Sequence, residues 1–138
     1  MDNIKHQGVA PFSGDSTYQV FRNVQHYGAT GNGQTDDTAA INAAIADGSN
    51  CPPGGACQST TTTPALIYFP AGTYIVSAPI IDYYYTSLVG NPNCLPIIKA
   101  TNAFTAADAW VIDGDKVDFT RPKTVSEANL PSSTERMV

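Results

Sequence analysis

Two adjacent carboxylates, Asp36 and Asp37, stand behind Gly28, Gly31 and Gly33 in residues 27–48, YGATGNGQTDDTAAINAAIADG. Three chemistries use such a pattern. A phosphate-cradling loop needs a lysine after its last glycine, and here Gly33 is followed by Gln34 and Thr35. A dinucleotide loop needs G-x-G-x-x-G between strand and helix, whereas these glycines have the reversed spacing and no second strand–helix–strand crossover follows. A glycosidase pair needs two carboxylates facing each other about 5–9.5 Å apart. Neighbouring residues at a helix start point roughly 100° apart, so Asp36 and Asp37 do not share a face. The pattern reads instead as a helix start. Glycines turn the chain, Thr35 or Asp36 serves as N-cap, and Asp37 complements the positive end of the helix dipole.

A second candidate is Asp82 with Tyr83, Tyr84 and Tyr85. Aromatic rings beside a carboxylate can form a sugar platform, with pyranose CH faces stacking on the rings while hydroxyls bond the acid. The competing and preferred reading is packing, with alternate tyrosines pointing inward and outward along a strand or bend. Asp113, Asp115 and Asp118 resemble a calcium loop only superficially, because the glycine at position 6 and the glutamate at position 12 are missing. The spacing of Cys51 and Cys57 is not that of a zinc site, and only His6 and His26 could assist. No metal site or cofactor is expected. The loop between these cysteines, CPPGGAC, holds its ends close and favours a local disulfide over two free thiols. Cys94 is left over, as a buried small residue or a free thiol.

The net charge of −5 and the absence of a Lys/Arg cluster argue against nucleic acid as a partner. No apolar run is long enough to span a bilayer, and the opening residues MDNIKHQG lack the apolar core of a signal peptide, so no membrane partner is expected. With 138 residues the chain is of single-domain size.

The elements that must position these residues fall into three segments. Residues 1–17 read as an extended arm. Residues 18–24, YQVFRNV, alternate well enough for a first strand, and a helix is expected over about residues 36–46, with Ile41, Ala44 and Ile45 on its apolar face and Gly48 at C′. After a loop rich in Ser, Thr, Pro and Gly, short β-rich runs follow at residues 65–69, 73–76, 86–89 and 96–99, separated by turn residues. That rhythm fits an all-β solenoid or sandwich and not a doubly wound α/β sheet. Residues 114–138 are richer in charge, hold both glutamates, Glu127 and Glu135, and read as a polar, disordered tail.

NIKHQGVAPF, the glycine and TDDT stretch, PALIYFPAGTYIVSAPIIDYYYTSLVGNP and LPIIKAT together resemble the N-terminal part of fungal exo-β-1,3-glucanases of the pectate-lyase-like superfamily. The glycine, TDDT and FPAGTY elements are shared with pectate-lyase-like and phage tail proteins, while IIDYYYT with the NIKHQG arm is the narrower signal. The resemblance implies a mainly β fold, the start of a right-handed parallel β-helix over residues 18–113 with the helix as an N-terminal cap. It also implies secretion, exo-hydrolysis of β-1,3-glucan by paired carboxylates without a metal or cofactor, and a polysaccharide partner. The family's acid/base glutamate lies far downstream, and no glutamate precedes Glu127 here, so no catalytic residue carries over. The expectation is therefore an incomplete, inactive fragment. It should be able to self-associate through the strand edges of its last coil, because a solenoid repeat cannot bury its apolar face alone. A pectin-type, rhamnogalacturonase-like lyase or hydrolase is the enzymatic alternative. A non-catalytic glycan-binding or assembly module using Asp82, Tyr83, Tyr84 and Tyr85 is the other.

Overall fold

The computed structural model describes residues 15–48, 62–104 and 111–113. The N-terminal arm as far as residue 14, the Cys51–Cys57 pair and the polar tail lie outside them.

Among the described residues, eight short strands and one α-helix follow in the order β1 (Phe21–Asn23), β2 (Asn32–Asp36), α1 (Thr38–Ala46), β3 (Ala65–Phe69), β4 (Thr73–Val76), β5 (Ile80–Ile81), β6 (Thr86–Gly90), β7 (Ile97–Ala100) and β8 (Ile112–Asp113), with a 3₁₀ turn at Val24–Tyr27. The strands form three sheets, β1-β3-β6, β2-β4-β7 and β5-β8, and every pairing is parallel. Each successive run of strands therefore lies against the run before it. Ala65 stands opposite Thr86, Thr73 opposite Ile97, and Ile80 opposite Ile112.

Apolar side chains from all three sheets meet in one core. Ile67, Phe69, Tyr74, Val76 and Ile80 are buried there with Val24, and α1 adds Ile41, Ala44 and Ile45. Burying each isoleucine contributes about 1.5–3 kcal/mol. Phe69 and Tyr74 meet edge to face, and the Tyr74 hydroxyl donates to the Pro70 carbonyl at 2.9 Å, so its polar end is satisfied inside the core.

The helix occupies the place in chain order where a first strand of the β5 sheet would fall, and one side chain makes the substitution possible. The Asn42 amide accepts from Ile81 N–H at 2.8 Å and donates to the Pro79 carbonyl at 3.2 Å. Ile80 and Asp82 donate in the opposite direction, to Val111 and Asp113. Asn42 thus supplies β5 with the two hydrogen bonds that a neighbouring strand would have made.

At its C-terminal end α1 is held by Arg22, which is buried. Its Nη1 donates to the Ala44 and Ile45 carbonyls, both at 2.9 Å, and its guanidinium lies 5.1 Å from the Tyr18 ring centroid. A cation at this end complements the helix dipole and satisfies carbonyls without an intrahelical partner. Gly48 sits at C′ with φ 71°, and a Cβ there would lie 2.9 Å from the Tyr18 ring.

The helix begins at Thr38, with Asp37 as its N-cap and neither Thr35 nor Asp36, because β2 pairs with β4 as far as Asp36. The first strand covers three residues, since the chain tightens into the 3₁₀ turn at Val24. Strands β2, β5 and β8 were not anticipated. Among the described residues no helix is long and apolar enough to cross a membrane.

Candidate glycan-contact site

The adjacent aspartates are both engaged in holding the fold. Asp37 is buried, and its carboxylate accepts from Thr30 N–H at 2.7 Å, Thr30 Oγ1 at 3.1 Å and Gly31 N–H at 3.1 Å. The amides of the glycine loop that could have cradled a phosphate are thus occupied by the protein's own anion. This carboxylate bonds the loop and none of the first helical amides, while Asp37 itself stands at the N-cap, the positive end of the helix dipole. Gly31 has φ 61°, and its carbonyl accepts from Thr73 N–H at 2.8 Å. A Cβ on Gly72 would lie 2.7 Å from that carbonyl oxygen, so the two glycines permit one layer to approach the next.

Asp36 points elsewhere. It accepts from Thr38 N–H at 3.0 Å, from Thr38 Oγ1 at 2.5 Å and from Ser77 Oγ, and these bonds hold its carboxyl below the usual range, the Ser77 bond most strongly. Thr38 Oγ1 in turn accepts from Ser77 N–H at 2.9 Å. Thr35 is exposed and bonds Asn32. The adjacent aspartates therefore serve two separate hydrogen-bond networks.

The run from Asp82 to Tyr85 lies at the exit of β5, where the chain turns into β6. Tyr83 O accepts from Thr86 N–H at 3.2 Å, and Tyr85 O accepts from Ala65 N–H at 3.1 Å. The three tyrosines are therefore on a turn and not on a strand. Tyr83 packs against the core, Tyr84 is half-buried, and Tyr85 is 55% exposed. Tyr85 has φ 58°, the one non-glycine residue with positive φ among those described. That conformation costs a bulky L-residue about 1–3 kcal/mol.

Asp82 N–H donates to Asp113 O at 2.9 Å, which places the ends of β5 and β8 side by side. Continuing the two-residue alternation, Asp82 follows buried Ile80, whereas Asp113 stands opposite Ile81 on the other face. Burial accordingly pushes the Asp82 carboxyl up, and its Oδ1 is buried without a hydrogen-bond partner among the described residues. The sequence marked the residues of this turn as a unit, but not the left-handed backbone that exposes Tyr85. A turn position of this kind usually signals itself by glycine, which is absent here.

The remaining candidates do not converge on this turn. Among the described residues no group of three or more His, Cys, Asp or Glu side chains is placed to hold a metal. His26 is exposed on the 3₁₀ turn. Cys94 is a free thiol, and it is exposed, which removes the buried alternative. His6, Cys51, Cys57, Asp115, Asp118, Glu127 and Glu135 lie outside the described residues.

A family model described as rhamnogalacturonase A/epimerase, pectate lyase-like, matches residues 21–138. The chain belongs to this pectate lyase-like family. Among curated relatives, a probable glucan endo-1,3-beta-glucosidase of Arthroderma benhamiae is 56% identical over 116 residues, covering 83% of this chain and 13% of that protein. A glucan 1,3-beta-glucosidase of Cochliobolus carbonum is 48% identical over 114 residues, covering 83% of this chain and 14% of that one. The non-secreted LysM effector LysM19 of Penicillium expansum is 47% identical over 121 residues, covering 84% and 9%. This pectate lyase-like chain thus spans about an eighth of the length of the two glucosidases. A solved structure, ORF18 of Geobacillus virus E2, is 34% identical, with a TM-score of 0.48 over 59% of this chain and 15% of that one.

Proposed function

We propose that this chain supplies coils of a right-handed parallel β-helix to a secreted glycoside hydrolase acting on β-1,3-glucan, and that residues 15–113 are scaffold and contact surface for that reaction. The observation that carries the reading is the 56% identity to a protein named as a probable glucan endo-1,3-beta-glucosidase and the 48% identity to one named as a glucan 1,3-beta-glucosidase. The uniformly parallel strand order supports the β-helix, since each strand is added to its predecessor in the same direction. The hydrolytic step is assigned to groups beyond these residues, because Asp36 and Asp37 are bound into structural networks. Two-carboxylate hydrolysis needs a facing pair open to substrate. A secreted protein meets an oxidising compartment, and the Cys51–Cys57 disulfide belongs to this proposal.

The description of the family as rhamnogalacturonase A/epimerase favours one second reading, a pectin-type substrate for the same scaffold. Co-sedimentation with insoluble β-1,3-glucan and with cross-linked polygalacturonate separates the two. Retention on the β-glucan without glucose release from soluble β-1,3-glucan is expected. Selective retention on polygalacturonate would favour the second reading, and glucose release by the purified chain would refute the scaffold assignment.

A further inference from the structure

Strand β2 leaves its ladder part-way along. Asn32 is in register with Thr73 and Asp36 with Ile75, so the three residues between them, Gly33, Gln34 and Thr35, face Tyr74 alone. A bulge of this kind bends the strand and frees residues from the pairing. Exposed Asn32 turns its side chain back over the bulge. Its Oδ1 accepts from Gln34 N–H and from Thr35 N–H, both at 2.8 Å, and its Nδ2 donates to Thr35 Oγ1 at 3.0 Å. Two amide donors on one carbonyl oxygen draw electron density from Cγ and stabilise the oxyanion that forms when a nucleophile adds there. The nearest nucleophile is the main-chain nitrogen of Gly33, which has φ 74° and no Cβ to shield it. Asn32 is the one asparagine of the chain that precedes a glycine. Asn23 offers the contrast. Its Oδ1 accepts from Gln25 N–H at 3.0 Å, but the next residue, Val24, is buried and β-branched, which crowds the attacking nitrogen.

We propose that Asn32–Gly33 is a self-modification site, at which the folded chain converts Asn32 to aspartate and isoaspartate by way of a cyclic succinimide. The Gly33 nitrogen gives up its proton to solvent base and bonds to Asn32 Cγ, placing negative charge on Oδ1. Collapse of this adduct breaks the Cγ–Nδ2 bond, and Nδ2 leaves as ammonia with a proton from water. Water then opens the ring, at Cγ to give aspartate or at the main-chain carbonyl carbon to give isoaspartate. The sum is one amide and one water converted to one carboxylic acid and one ammonia, with nothing oxidised or reduced. The isoaspartyl product adds a carbon to the main chain between Asn32 and Gly33, at the start of the bulge, where the strand is already off its ladder.

The purified chain is incubated in mildly alkaline buffer, folded and in parallel unfolded in urea, and its peptides are followed over time by mass spectrometry. Isoaspartate is counted by isoaspartyl methyltransferase labelling, and circular dichroism confirms that the first sample stays folded. In the folded chain Asn32 should gain the mass of amide-to-acid exchange at least roughly tenfold faster than Asn23, and within about tenfold of its own rate in urea. Gly33→Ala, whose Cβ would meet Thr73 at an ordinary 3.5 Å, should slow the reaction by roughly tenfold. Asn32→Ser should abolish both the mass gain in that peptide and its isoaspartate label. A folded rate at Asn32 no higher than at Asn23, or more than about tenfold below the rate in urea, would overturn the site. An unchanged rate in Gly33→Ala would do the same.

Discussion

Asn42 is the most sensitive single test of how a helix comes to stand beside a strand in this fold. Its amide makes both a bond from Ile81 N–H and a bond to the Pro79 carbonyl, each part-buried. Removing a partner leaves each backbone group unsatisfied at about 1–1.5 kcal/mol, the low end for part-buried groups, so Asn42→Ala loses about 2–3 kcal/mol at this edge. Alanine returns up to about 0.7 kcal/mol through better helix propensity. The net destabilisation is about 1.5–2.5 kcal/mol, or a melting temperature lower by roughly 6–20 °C for a domain of this size. Urea unfolding followed by circular dichroism measures it. Asn42→Asp provides the internal check. It keeps the acceptor for Ile81 but sets a carboxylate against the Pro79 carbonyl, and it should recover part of its deficit relative to wild type when acid makes the carboxyl a donor. An Asn42→Ala variant within about 0.5 kcal/mol of wild type would refute the idea that this side chain replaces a strand.

Three other outcomes are expected. Asp37→Ala, which strands the Thr30 and Gly31 amides, should lose about 2–4 kcal/mol in the same unfolding assay while leaving laminarihexaose binding to the folded fraction unchanged. The Asp36 carboxyl lies below its ordinary value of 3.8 in the folded protein, so its contribution is complete above that value and fades as pH falls through the lower folded value; Asp36→Asn should flatten the acid limb of a stability–pH curve below pH 3.8. Leu95, two residues before β7, and Ile97, its first residue, are 75% and 58% exposed, and β7 has one strand partner among the described residues. Concentration-dependent association in sedimentation velocity is therefore expected, and Ile97→Lys should reduce it.

Strands β3 and β4 were legible in the sequence to the residue, because ALIYF and TYIV are branched and aromatic runs bounded by turn residues. Strand β2 was not. NGQTD is polar and mostly exposed, and its extended form comes from pairing with β4, a tertiary effect that no local pattern announces. The same competition shifted the helix start, since Asp36 ends that strand one residue before the N-cap, although its carboxylate still accepts from Thr38 N–H. Asn42 gave no signal because an asparagine in an alanine-rich helix reads only as a weak helix former. At the candidate site, composition revealed the aromatic and carboxylate groups of residues 82–85 but not which ring is exposed. That depends on the φ of Tyr85, set by the bonds from Thr86 and Ala65.

The three sheets advance by unequal amounts of chain. Ala65 is matched by Thr86, Thr73 by Ile97 and Ile80 by Ile112, so the interval lengthens from one sheet to the next while these paired strands stay in step. The slack between these pairs resides at the corners, whereas β2 shifts register within its own pairing, with Asn32 opposite Thr73 and Asp36 opposite Ile75. The paired segments act as a ruler and the corners as expansion joints. A residue inserted between Gly90 and Ile97 would displace only local loop, whereas one inserted within Ala65–Phe69 would turn its core-facing side chains outward. Corner segments are consequently where this architecture can change length, and acquire new surface chemistry, without disturbing the stack beneath.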